Sequence, residues 1–197
     1  VKDAKKITES LTRTSKMPGL SYSLPAWACQ TGAKLRKIPT SPCFGCYALK
    51  GNYTRYPAIK AAQYRRLDAI DNPLWVTAMV TQIKRQKWFR WHDAGDLQSL
   101  EHMYKIIEVA KLTPGTQHWL PTQERQYLPK PEDVPANLII RLSAAKVNGT
   151  AGNAWSHSST VVTDGSASCA APDQGGKCLD CRACWDKSIS NVSYGKH

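Results

Sequence analysis

Near the end of the chain, Cys178-Leu179-Asp180-Cys181-Arg182-Ala183-Cys184 places three thiols with two residues between each, and Cys169 stands nine positions ahead. A run this dense forces a tight loop whose sulfurs face one small volume. Zinc in a small structural site usually takes cysteines as separated pairs, because a tetrahedral ion is approached from four spread directions. A cubane presents four iron corners several ångströms apart, so a close run can take three of them and a remote cysteine the fourth. The run therefore points to a [4Fe–4S] cluster on Cys169, Cys178, Cys181 and Cys184, with zinc and unligated or disulfide-bonded cysteine as the alternatives. No cysteine followed by proline, as in bacterial ferredoxins, is present to be the fourth ligand, which leaves Cys169 in that place.

A second group consists of Cys29 and, after thirteen residues, Cys43-Phe44-Gly45-Cys46-Tyr47. Three thiolates on a cubane leave one iron open to water, substrate or a cofactor, and three on zinc leave an exchangeable position. His92 or Asp96 could close such a site. Gly45 allows the tight turn, and Gly51 lets backbone approach a bound group. The structural alternative is three buried cysteines packed as small hydrophobes. Seven cysteines is an odd number, so a complete disulfide framework would leave one thiol over.

A length of 197 residues suits one domain spanning 1–197. With 42% hydrophobic and 21% charged residues, the composition excludes a disordered tail or a fibrous repeat. The longest nearly uncharged apolar stretch, Leu74 to Ile83, is about half of a bilayer crossing, so no membrane association is expected. No hydrophobic targeting segment opens the sequence, and the expected location is the cytoplasm.

Residues 1–20 read as an N-terminal arm, Ser21 to Tyr47 as loop-rich, and 165–197 as a cysteine-rich extension that binds a cluster. Helical spacing marks Pro57 to Ile70, Leu74 to Gln86 and Leu97 to Leu112. Strands are expected over Trp88 to His92, Gln117 to Pro121, Leu138 to Leu142 and Ser159 to Thr163, with a short helix or loop from Glu124 to Asn137. Strands alternating with helices predict an α/β fold, a mostly parallel sheet or an incomplete (β/α) barrel. Ligands bind at the carboxyl edge of such sheets. That edge would collect His92 and Asp96 as catalytic candidates and Gly95, Gln123, Glu124 and Arg141 as substrate or cofactor contacts. His102, His118, His157 and His197 read as packing or surface residues, and Trp88, Trp91 and Trp119 as core or pocket walls. No Walker loop, dinucleotide glycine fingerprint, nucleophile elbow or zinc-protease helix is present.

Charge is uneven. Residues 1–90 hold 17 Lys and Arg against 4 Asp and Glu, while residues 91–197 hold 10 against 11. The basic first half suits an acidic redox partner or nucleic acid.

The segments Cys43 to Ala48, Gly51-Asn52-Tyr53, Arg90 to Asp96 and Cys178 to Trp185 together resemble a bacteriophage family of cysteine-rich proteins, gene product 88. The resemblance spans Cys29 to Trp185. It implies an iron–sulfur protein of viral origin, in the host cytoplasm, with a core similar to radical S-adenosylmethionine enzymes. Those enzymes hold a cubane on C-x3-C-x2-C and chelate the cofactor on its open iron. Here the first gap is thirteen residues, Gly45 stands where an aromatic normally precedes the last cysteine, and Gly95-Asp96 is the one substitute for a missing Gly-Gly-Glu-Pro segment. The implied roles are a [4Fe–4S] electron carrier, a structural cluster protein, or an enzyme binding S-adenosylmethionine beside His92, Asp96, Gln123, Glu124 and Arg141. The alternative function is a nucleic-acid-binding protein with a structural metal site, zinc or cluster.

Overall fold

The computed structural model describes residues 1–196. Six strands form one sheet in chain order: β1 Leu20–Tyr22, β2 Trp88–Trp91, β3 Gln117–Thr122, β4 Leu138–Ser143, β5 Ser158–Val162 and β6 Asn191–Gly195. Every neighbouring pair is parallel, and β1 and β6 are the two edges, so the sheet is open. The expected α/β class with a parallel sheet is the one observed.

Parallel strands need long crossovers, and these supply five of the six α-helices among the described residues, the first helix preceding β1. The six are α1 Lys2–Thr8, α2 Gln30–Leu35, α3 Asn52–Arg55, α4 Pro57–Ala69, α5 Trp75–Ile83 and α6 Leu100–Leu112. Between β1 and β2 the chain makes α2 through α5, and between β2 and β3 it makes α6. The β3 to β4 crossover carries only the short turns Arg125–Tyr127 and Pro131–Asp133, and the cysteine-rich segment itself connects β5 to β6. No helix among the described residues is long and apolar enough to cross a membrane.

Alternation along the strands divides the side chains between two faces. Phe89, Trp91, His118, Leu120, Leu138 and Ile140 share the face on which Trp75, Met79 and Ile83 of α5 and Met103 and Ile106 of α6 pack. The opposite face presents Trp88, Arg90, Trp119, Ile139 and Arg141. There the core is closed by Met17 and Trp185, with Cys178, Cys184 and Tyr194 beside them. One face is thus covered by helices and the other by the cysteine-rich crossover.

Several boundaries differ from the sequence reading. Residues 1–20, read as an arm, contain α1, whose Ala4 and Thr8 are buried and whose Thr8 hydroxyl accepts a hydrogen bond from Gln82 of α5 at 2.6 Å. Helix α6 begins at Leu100 because Ser99 caps it, its hydroxyl accepting from the His102 amide at 3.0 Å. The loop-rich stretch from Ser21 contains most of β1, and β6 was not expected: three residues in one case and Asn-Val-Ser-Tyr-Gly in the other carry too little alternation to stand out. His102 and His118 are core residues, 0% and 1% exposed. His197 lies outside the described residues.

Candidate metal centres

All seven cysteines are free thiols and partly buried. The C-terminal four line one small cavity of about 20 Å³, whose other walls are Ala171, Ala183, Trp185 and Val192. Backbone bonds place each thiol. The Cys169 amide donates to the Ser193 carbonyl of β6 at 3.0 Å, and that of Cys178 donates to Lys16 at 2.7 Å. The Cys181 amide closes a turn on the Cys178 carbonyl at 2.9 Å, with Leu179 at a φ of 43° inside it. Trp185 locks the loop to the sheet: its indole N–H donates to the Phe89 carbonyl at 3.0 Å, and its ring meets Trp88 and Trp119 edge-on at 5.6 and 5.2 Å.

Two cations lie beside this cavity, Arg141 buried and Arg90 half-buried. Arg141 is 0% exposed and donates to five backbone carbonyls, those of Ser158, Ala183, Cys184, Asp186 and Ile189, at 2.8 to 3.3 Å. Burial lowers its pKa, against the opposing influence of Tyr194, Cys184 and Asp186. Arg90 lies 4.5 Å over the Trp119 ring, and its Nε has no hydrogen-bond partner. Burial works against the Arg90 charge, yet Tyr47, Asp93 and Tyr194 around it hold its pKa above the ordinary value. Among the described residues neither guanidinium forms a salt bridge with a carboxylate. Buried charge without a counter-charge is costly. The Cys184 thiol and the Tyr194 hydroxyl, 3.2 Å apart, are ionisable groups on which both arginines act. Burial raises the pKa of Cys184, as it does that of Cys178, so these thiols stay protonated until something positive draws them into thiolate form.

The other three cysteines gather beside the ends of β1 and β2. Cys29 precedes α2, and Cys43 and Cys46 bracket a turn in which Gly45 has a φ of 70° and the Cys46 amide donates to the Cys43 carbonyl at 3.2 Å. Cys29 and Cys43 face a common point, since a Cβ placed on Gly32 would lie 3.7 and 3.9 Å from their sulfurs. Cys29 and Cys46 also pack around Ala26, Ala48 and Ala94. Burial pushes the Cys43 thiol up to about 11 and that of Cys29 higher still, with Cys46 and Asp96 adding to both.

Of the residues expected along the carboxyl edge, Asp96, Gln123 and Glu124 come together behind Cys29. The Asp96 carboxylate accepts from the Leu97 and Gln123 amides and from the Thr122 hydroxyl, at 2.6 to 2.8 Å. Its burial raises its pKa to about 7, although those three bonds pull the other way. Glu124 accepts from the Gln30 and Thr31 amides and the Thr31 hydroxyl, at 2.6 to 3.2 Å, and so caps α2. Gln123 donates its side chain to the Ala144 carbonyl. Gly95 is steric: its φ is 79°, and a Cβ there would lie 2.6 Å from that of Leu24.

The remaining two are placed differently. His92, at a φ of 50°, is 3% exposed, and its ring lies 5.3 Å from that of His102 with neither nitrogen hydrogen-bonded. Burial keeps it neutral. Arg141 belongs to the four-thiol centre. Three residues of the centres were not among the site candidates. Tyr194 reaches Cys184, Tyr47 donates its hydroxyl to the Asp93 carbonyl at 2.5 Å, and Tyr53 donates to the Asp93 carboxylate at 2.9 Å. Arg90 was legible in principle, as a charge inside an apolar strand.

Among the described residues no group of three or more His, Cys, Asp or Glu side chains is gathered for a single metal ion. No curated protein and no solved structure matches the chain. The sequence does match the family described as Gene product 88 over residues 1–187, which takes in both cysteine groups and five of the six strands. By that match the chain belongs to the gene product 88 family, the phage gene-product family that its cysteine segments resemble.

Proposed function

We propose that this is an iron–sulfur protein in which Cys169, Cys178, Cys181 and Cys184 hold a [4Fe–4S] cluster. One observation carries the reading: four thiols share a single apolar cavity flanked by two arginines, one buried and one half-buried, that form no salt bridge among the described residues. A cubane on four thiolates has a net charge of about −2 in its common oxidised state, the counter-charge those arginines lack. A zinc ion would draw its sulfurs to about 2.3 Å. The unbroken C-x2-C-x2-C spacing, in place of separated pairs, suits a group with several metal corners better.

Cys29, Cys43 and Cys46 are the ligands of a second cluster with one open corner. When bound, such clusters supply reversible one-electron transfer. The chain holds the thiols in place, keeps water from the apolar cavity and sets positive charge beside it, which favours the reduced, more negative state.

Anaerobic purification with iron and sulfide analysis tests this. About four iron and four sulfide per filled site are expected. Cys184→Ala should remove the contribution of the four-thiol site and Cys46→Ala that of the other. Colourless protein with stoichiometric zinc and no labile sulfide would overturn it.

A further inference from the structure

The chain from Ser10 to Leu67 contains ten Lys and Arg and no Asp or Glu, and Cys29, Cys43 and Cys46 all lie within it. Only Arg65 of those ten forms a salt bridge among the described residues, with Glu9. The other nine are therefore not paired with carboxylates in salt bridges among the described residues. Lys34, Lys37, Lys50 and Arg55 are exposed, and the Lys50 ammonium sits over the Cys43–Cys46 turn, where a Cβ on Gly45 would lie 3.7 Å from it.

Large aromatic rings are exposed in the same place. Trp27, two residues before Cys29, is 52% exposed, and Phe44, between Cys43 and Cys46, is 49% exposed. The Arg36 guanidinium lies 5.5 Å from the Trp27 ring. Neither ring is needed by the core, and leaving them in water costs hydrophobic free energy that a partner would recover.

We propose that this rim is a docking surface for single-stranded nucleic acid, with phosphates on the lysines and bases stacked on Trp27 and Phe44. Basic charge interleaved with exposed rings is what such a strand requires, because every base offers a π-face and every nucleotide a negative charge. An acidic protein would satisfy the charge but would leave the two rings without stacking partners. A duplex would hide its base faces. The surface exists whether or not the thiols hold a cluster, so this inference stands apart from the iron–sulfur reading.

The test is fluorescence anisotropy on anaerobically purified protein, with a labelled mixed-sequence single strand, the matching duplex and polyglutamate as probes. The single strand should bind more tightly than the duplex, and its affinity should fall steeply with salt. Trp27→Ala and Phe44→Ala should each weaken single-strand binding about tenfold, with iron content and melting temperature unchanged. Lys37→Ala should lower the slope of log affinity against log salt by about 0.7. Equal binding of duplex and single strand, displacement of the strand by polyglutamate at matched charge, wild-type affinity in both aromatic variants, or no binding at low salt would each overturn the proposal. Iron and sulfide counted in the same samples report separately on the clusters.

Discussion

Arg141 spends its side-chain nitrogens on backbone carbonyls, because five donors fanned in one plane match five acceptors around Cys184. Arg141→Met would strip the Cys184 and Ile189 carbonyls of their donor, at about 1–3 kcal/mol for each one that finds no water, while the Ala183 and Asp186 carbonyls keep the Asp186 and Ile189 amides. We expect a loss of about 3 kcal/mol or more, read by denaturant unfolding, and iron missing from the four-thiol site before the other. Equal loss from both sites would contradict the clamp. His118 makes a different residue-scale prediction. Burial lowers its pKa to about 3, and its Nε2 pairs with the Thr113 hydroxyl at 2.8 Å. A folded value below the unfolded one means that its contribution is complete above about pH 6.5 and is lost as pH falls toward 3. His102, also lowered to about 3 by burial, acts in the same direction. Thermal stability should therefore decline on acidification through this window, and His118→Phe should make the decline shallower.

At the scale of elements, α2 has six residues, too few to be stable alone. Its first turn is held from outside by Glu124, whose carboxylate meets both the free amides and the positive end of the helix dipole. That bond links the β3 to β4 crossover to the backbone next to Cys29, so Glu124 acts as a positioning residue for the three-thiol site. Glu124→Ala should speed reaction of Cys29 with a thiol reagent and lower iron at the three-thiol site, while the four-thiol site keeps its own. Unchanged Cys29 reactivity would show that α2 is held by other contacts. Glu124→Gln retains an acceptor without the charge and should fall between the two.

At the scale of the molecule, an open parallel sheet needs cover on both faces. Helices α5 and α6 cover one, and a crossover without an α-helix covers the other, held by Arg141, Trp185 and its thiols. Whatever binds those thiols therefore also fastens that cover to the sheet, and its binding free energy adds to folding. Removing iron with a chelator under anaerobic conditions should lower the melting temperature and expose Trp185, visible as a red shift and increased quenching of tryptophan emission. Stability that does not change with iron content would mean that side-chain packing alone holds the segment down.

Local patterns in the sequence were sufficient for the helices from Pro57 to Leu112, strands β2 to β5 and the two groups of cysteines, because each rests on spacing within a few residues. Tertiary structure alone decided the rest. Leu20–Tyr22 is a strand only because β2 lies alongside it, and Asn191–Gly195 only because β5 does. Glu124, which the sequence offers as a ligand contact, became the cap of a helix 93 residues earlier, and Arg141 became the clamp of a loop 43 residues later. Dihedral preference and hydrophobic period act between near neighbours, whereas a buried charge or donor takes whichever partner the packed chain brings within about 3 Å.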